Sequence, residues 1–283
     1  HVVGGNQLYG RSMRLMNEDL PRLGISSTLA DPGDAAAVAT ALRPETRMLL
    51  VEVVSNPTLR VADIEGLAAL CRERNILLAV DNTFTTPRAF RPFEHGADIV
   101  IHSLTKLLAG HSDVMLGYAV ARDPALAEKL RVFAVTTGLT PSPFDCWMAL
   151  RGLQTLPLRM HAHCAGAQAV AEALAAHPAV ESVLFPGLPE DPGHALASRQ
   201  MRGFGGMLSF VVKGGAEAAM SVAGRLSLIV RATSLGGTHS LIEHRASVEG
   251  DKSMAPAGLL RMSVGLEHPQ DLIADLHQAL TLA

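Results

Sequence analysis

The chain has 283 residues, of which 48% are hydrophobic and 18% charged, with a formal net charge of −3. That length supports a sizeable core in one large domain or two unequal ones. The balanced, intermixed charges offer no footing for nucleic acid or an anionic membrane, and no apolar run approaches the ~18 residues of a membrane span. Three cysteines, Cys71, Cys146 and Cys164, lack paired spacing and fall in predicted helices, which argues against a disulfide framework and for a reducing cytoplasm. Twelve histidines are scattered. His161 and His163 are wrongly spaced for one helix face and no HExxH occurs, so no metal centre is expected.

In chain order, Val2-Val3 reads as the tail of a strand. Asn6 to Gly10 is a polar turn and Arg11 to Leu23 a helix. Met48 to Val53 is a strand ending in the turn Ser55-Asn56-Pro57-Thr58. Asp63 is placed to cap a helix whose apolar residues Ile64, Leu67, Ala68 and Cys71 follow helical spacing. Ile76 to Val80 and Ile99 to Ile101 are short apolar runs typical of buried parallel strands. A short helix near Phe93 separates them, and Val114 to Ala121 is expected as one further strand. This alternation predicts a parallel sheet with right-handed crossovers. Pro143 to Ala176 is mostly helical, with Gly152, Pro157 and Gly166 expected to bend or break it. Strands follow near Val180 to Phe185, Met207 to Val212 and Leu259 to Val264. A last helix begins at Pro269 and buries Leu272, Ile273, Leu276 and Leu280.

The chemistry concentrates where two predicted strands end. Asp81 closes the first, and Ser103-Leu104-Thr105-Lys106 follows the second. In open α/β sheets the ligand crevice lies outside the carboxyl ends of the strands, so an acid, two hydroxyls and an amine converge there. Pyridoxal phosphate needs such a set: a lysine for the Schiff base, an acid against the pyridinium nitrogen and donors for the phosphate. Each residue alone has a plainer reading. Lys106 suits a solvated loop, and Asp81 with Asn82 suits a turn cap. Arg261 interrupts the apolar strand Leu259-Leu260, Met262, Val264 and by alternation alone suits either a solvent face or a bidentate carboxylate site.

These motifs resemble the Cys/Met-metabolism family of pyridoxal-phosphate enzymes. The similarity runs through Ser55-Asn56-Pro57-Thr58, Asp81-Asn82-Thr83-Phe84, Ser103-Leu104-Thr105-Lys106, Gly110-His111-Ser112-Asp113, Pro141-Ser142-Pro143-Phe144-Asp145, Ser234-Leu235-Gly236-Gly237 and Arg261-Met262-Ser263-Val264-Gly265-Leu266-Glu267. It implies an α/β fold-type-I transferase with a mostly parallel central sheet, helices on both faces and a smaller C-terminal α/β domain. The expected division is 1–142 for cofactor binding and 143–283 for a linking helix and the smaller domain.

The resemblance assigns Lys106 to the Schiff base and proton transfer, and Asp81, Ser103 and Thr105 to the cofactor. It sets Tyr9 on the cofactor ring, near the incoming amine, and Asn56 near the cofactor hydroxyl and substrate carboxylate. Arg261 and Ser234 become substrate residues. His111 and Asp113 are expected to pin the lysine loop, with His239 and His244 at the surface or rim. The implied activity is a carbon–sulfur lyase or transferase of transsulfuration, acting on cystathionine or a homoserine ester through an external aldimine. Methionine γ-lyase, cystathionine β-lyase and homoserine-ester sulfhydrylase are alternatives. Arg11 after Tyr9-Gly10, Leu235 and Thr233 depart from patterns seen in some of these branches. The family pattern also implies a small sulfur amino acid as substrate, assembly as a dimer of dimers, and a segment before His1. On that pattern the chain is expected to be N-terminally truncated, and an inactive homologue keeping only fold and association surfaces is the competing reading.

Overall fold

The computed structural model describes residues 1–250 and 255–282. The first half builds a six-stranded sheet from β1 (Val2–Gly5), β2 (Ser27–Ala30), β3 (Met48–Glu52), β4 (Leu77–Asp81), β5 (Ile99–Ser103) and β6 (Gly117–Ala121), in the order β2-β1-β3-β4-β5-β6. The first five strands are parallel and β6 is antiparallel to β5. A parallel crossover needs a long return, usually a helix. Only a single helical turn, Leu104–Leu108, and a loop separate β5 from β6, so the chain comes straight back. The expected strand from Val114 therefore starts only at Gly117 and reverses the parallel pattern.

The helix Ile64–Arg74 shows how sequence sets the local structure. Asp63 accepts the Gly66 N–H at 3.3 Å at its start. Asn75 ends it in the left-handed region, at φ 54°, which asparagine tolerates better than most residues. Ile64, Leu67, Ala68 and Cys71 form its buried stripe, as their spacing predicts. In β4, Leu78, Ala79 and Val80 are all buried. Removing each Leu or Val side chain from water contributes ~1.5–3 kcal/mol, and a strand shielded on both faces needs such residues.

The second half carries β7 (Val180–Leu184), β8 (Met207–Val212), β9 (Val230–Arg231), β10 (Leu241–His244) and β11 (Leu259–Ser263), ordered β7-β8-β11-β10-β9. The helices Pro143–Leu153 and Leu156–Ala175 link the two sheets in sequence. Their break falls at 154–155, with Pro157 in the first turn of the second helix. Gly152 lies just before that break, and the second helix runs through Gly166 without one; a Cβ on Gly166 would meet Val264 at 3.0 Å, and one on Gly152 would press on the Ala109 carbonyl. These glycines serve close packing.

One continuous core joins Val51, Val80 and Val100 of the first sheet to Phe210, Leu260 and Met262 of the second, with Val170 and Leu174 of the long helix. The last helix, Pro269–Thr281, buries Leu272, Leu276 and Leu280, while Ile273 is only partly covered.

Candidate active site

The carboxyl ends of β3, β4 and β5 carry Glu52, Asp81 and Ser103 side by side. Thr83 joins two of these ends. Its hydroxyl donates to Asp81 Oδ1 at 2.5 Å and accepts the Ser103 N–H at 2.9 Å, while its own N–H donates to the same Asp81 oxygen at 2.9 Å. Burial pushes the Asp81 carboxyl up from its ordinary value, and the two Thr83 bonds oppose that rise. Ser103 Oγ makes no hydrogen bond among the described residues, so it stays open to a ligand. Thr105 differs, because its hydroxyl accepts the Leu116 N–H at 3.0 Å and faces the Leu116 carbonyl at 3.4 Å.

Lys106 lies in the tight turn Leu104–Leu108, with φ −95° and ψ −135°, outside helical values. This local break aims the side chain away from its own turn. Lys106 Nζ donates to Ser234 Oγ at 3.2 Å, although 128 residues separate the two. Desolvation first, and the Arg261 charge second, lower the lysine below its ordinary range, while Glu243 acts against them.

Arg261 is 3% exposed, which settles the alternation question against a solvent face. Its Nη1 donates to Asn56 Oδ1 at 3.0 Å, and Nη2 donates to the Thr233 carbonyl at 2.8 Å. Glu243, directly opposite on β10, pairs with Arg261 Nη2 at 2.9 Å. The same Glu243 oxygen pairs with Arg245 at 2.9 Å. Lys106, Ser234, Arg261 and Asn56 thus form one linked cluster across the two sheets. Tyr9 is 48% exposed and donates its N–H to Glu52 Oε1 at 2.6 Å.

Two expectations fail. Among the described residues His111 bonds only the nearby Ala109 carbonyl, at 2.7 Å, and both His111 and Asp113 face solvent, so they do not pin the lysine loop. Arg159 does so instead. From the long helix it donates to the Leu107 carbonyl at 2.6 Å and the Leu108 carbonyl at 3.1 Å, satisfying the open end of the lysine turn. His239 is exposed as expected, but His244 is buried and bonded to the Ala257 carbonyl at 2.6 Å.

Sequence reasoning missed Glu52, Thr83, Arg159, Glu243 and Arg245. Glu52 ends an apolar strand as Asp81 does and so carried the same signal, whereas Glu243, between Ile242 and His244, carried none of that kind. Arg159 carried none, because its role depends on a contact 52 residues away.

A lysine of lowered basicity, an acid at the neighbouring strand end and an open hydroxyl fit pyridoxal phosphate. Fold and site together define a pyridoxal-phosphate-dependent enzyme of the mostly parallel α/β type. The family of Cys/Met metabolism PLP-dependent enzymes matches residues 1–281. The cystathionine gamma-synthase of Mycobacterium tuberculosis is 45% identical over 285 residues, covering 99% of this chain and 74% of that protein. The L-methionine gamma-lyase of Porphyromonas gingivalis is 42% identical over 290 residues, covering 99% and 73%. The crystal structure of metB from Corynebacterium glutamicum superposes with a TM-score of 0.96 at 41% identity, covering 100% of this chain and 74% of that one. The chain belongs to the Cys/Met-metabolism family of pyridoxal-phosphate-dependent enzymes. It is a carbon–sulfur lyase or transferase of that group.

Proposed function

We propose that the chain acts on cystathionine or a homoserine ester, making or breaking the bond to sulfur at the γ carbon. The relatives at 45% and 42% identity are named for γ chemistry on either side of that choice, which supports the γ position. Methionine γ-lyase, cystathionine β-lyase and homoserine-ester sulfhydrylase activities are the alternatives that the same residues could serve.

One observation carries the reading: Lys106 Nζ reaches Ser234 Oγ, on a loop whose carbonyls hold the Arg261 guanidinium. Bound there, pyridoxal phosphate supplies an electron-withdrawing ring that stabilises negative charge next to the substrate's α carbon. Lys106 would hold the cofactor through its amine and, as a free amine, would move protons between substrate carbons. Its lowered basicity leaves more of the amine neutral and able to accept one. Asp81 would hold the ring nitrogen in its protonated form, and Ser103 Oγ would donate to the phosphate. Thr105 contributes through the same turn, its hydroxyl anchored to Leu116. Tyr9 covers the ring face and stands near the incoming amine. Arg261, steadied by Glu243 and Asn56, takes the α-carboxylate as a planar fork, and Ser234 steadies Lys106.

Domain division at 142/143, a cytoplasmic location and assembly as a dimer of dimers complete the proposal. Three free cysteines support a reducing compartment. Among the described residues no helix is long and apolar enough to cross a membrane. Exposed apolar residues between 115 and 158 support assembly.

The test is direct. Purified chain is mixed with pyridoxal phosphate, reduced with borohydride and peptide-mapped. The expected result is a yellow complex reduced onto Lys106, absent in Lys106→Ala, and turnover of cystathionine or a homoserine ester. Label spread over surface lysines, or no colour, would sink the reading.

A further inference from the structure

Glu52 has no part in the chemistry above. It ends β3 and is the in-register neighbour of Asp81 at the end of β4. Matched residues of parallel strands point to the same face, so two carboxyl groups lie together where the ligand crevice opens. Glu52 Oε1 accepts the Tyr9 N–H at 2.6 Å, and the Asn56 N–H lies near the same carboxyl and favours its charged form. One side chain therefore touches three segments of the proposed site. The charged groups facing it are Asp81 from β4 and Arg245 from the helix Arg245–Glu249; β1, on the other side, holds only Val2, Val3, Gly4 and Gly5.

We propose that Glu52 is a positioning residue: it fixes the Tyr9 loop and the Asn56 turn to the Asp81 strand, and the two carboxyls keep one proton between them. The site then presents a single negative charge to the cofactor ring. This rests on the pyridoxal-phosphate reading of the site. The electrostatics agree with the geometry. Desolvation first, then the Asp81 charge, push the Glu52 carboxyl up to about 8, and the two N–H donors and Arg245 only partly offset this. A neutral Glu52 still accepts the Tyr9 N–H. An ionised one sets a second charge beside Asp81.

The sign of the pH effect follows. From 4.5 to about 8 the folded chain holds a proton that the unfolded chain has lost, so stability falls as pH rises through that window. Glu52→Gln keeps the shape and the acceptor but removes the titration. Thermal melting of the full chain without added cofactor should show wild type losing ground to E52Q steadily from about pH 5 to pH 8. A wild-type-to-variant difference that stays flat with pH overturns the shared proton. With cofactor bound, E52Q should keep the circular dichroism of the cofactor band, whereas Glu52→Leu should lose most of it and raise KM several-fold with a smaller change in kcat. Unchanged dichroism and KM in E52L overturn the positioning role. If E52L does not fold, a dichroism change in E52Q decides against the role in its place. Failure of wild-type borohydride trapping at Lys106 removes the cofactor reading and the positioning role that rests on it, while the melting comparison still decides the proton pair.

Discussion

At the residue scale the site is built on charges whose neighbours choose their state. Arg261 holds Asn56 through one nitrogen and Glu243 through the other. A lysine there keeps the charge but loses the planar fork. Arg261→Lys is expected to lower kcat/KM roughly 10- to 100-fold, the equivalent of one charge-assisted hydrogen bond of ~1.5–3 kcal/mol. The loss should fall mainly on KM, and a steady-state assay separates the two. Asp275 shows the same logic away from the site. Burial raises its carboxyl, but the N–H groups of Ser227, Ile229 and Leu228 outweigh that and leave it below its ordinary value. A lowered acid stabilises the fold above its unfolded value, near ~3.9, and that contribution is lost as pH falls through the folded value. Asp275→Asn should therefore cost ~1–3 kcal/mol at neutral pH and much less in acid, read by urea melts at both pH values.

At the scale of elements, the lysine turn is held from two sides. Gly236, at φ 76°, lies against it, and a Cβ there would meet the Leu107 nitrogen at 2.7 Å. Its own N–H donates to Ser263 Oγ at 2.8 Å, which ties the Ser234 loop to β11. Any side chain at this position meets both the backbone strain and the clash. Gly236→Ala is expected to destabilise by ~1–3 kcal/mol and to slow borohydride trapping at Lys106, because the turn must shift. On the other side, Arg159→Met leaves the Leu107 and Leu108 carbonyls without their donor, which costs ~1–3 kcal/mol for each orphaned group. The Met variant should melt earlier than wild type in a calorimetric scan. The sequence marked the strand ends and the lysine turn plainly, through apolar runs closed by Asp81 and Ser103. It gave no sign of Arg159, since neither its spacing nor its neighbours in sequence carry information about a turn half a domain away.

At the scale of the whole molecule, the helix Pro124–Thr136 has no buried residue although it is rich in apolar side chains. Phe133, Leu139, Phe144, Trp147, Leu150 and Leu158 are all more than half exposed. Clustered apolar exposure of this kind marks association surfaces. Replacing Phe133 and Trp147 together by Asp should shift the sedimentation coefficient toward a monomer while leaving the circular dichroism of the fold unchanged. An unchanged sedimentation profile would mean that this face is not the one that assembles.

The sequence by itself determined the strand–helix alternation, the cap at Asp63, and the residue types gathered at the ends of β4 and β5. These follow from local periodicity and backbone preference, which neighbours in sequence dictate. Only the tertiary structure decided that β6 runs antiparallel, that Arg261 is buried against Glu243 and Asn56, and that Arg159 rather than His111 holds the lysine turn. A hydrogen bond or an ion pair forms between groups that packing brings within about 3 Å. That proximity depends on how the two sheets meet, which no local pattern contains.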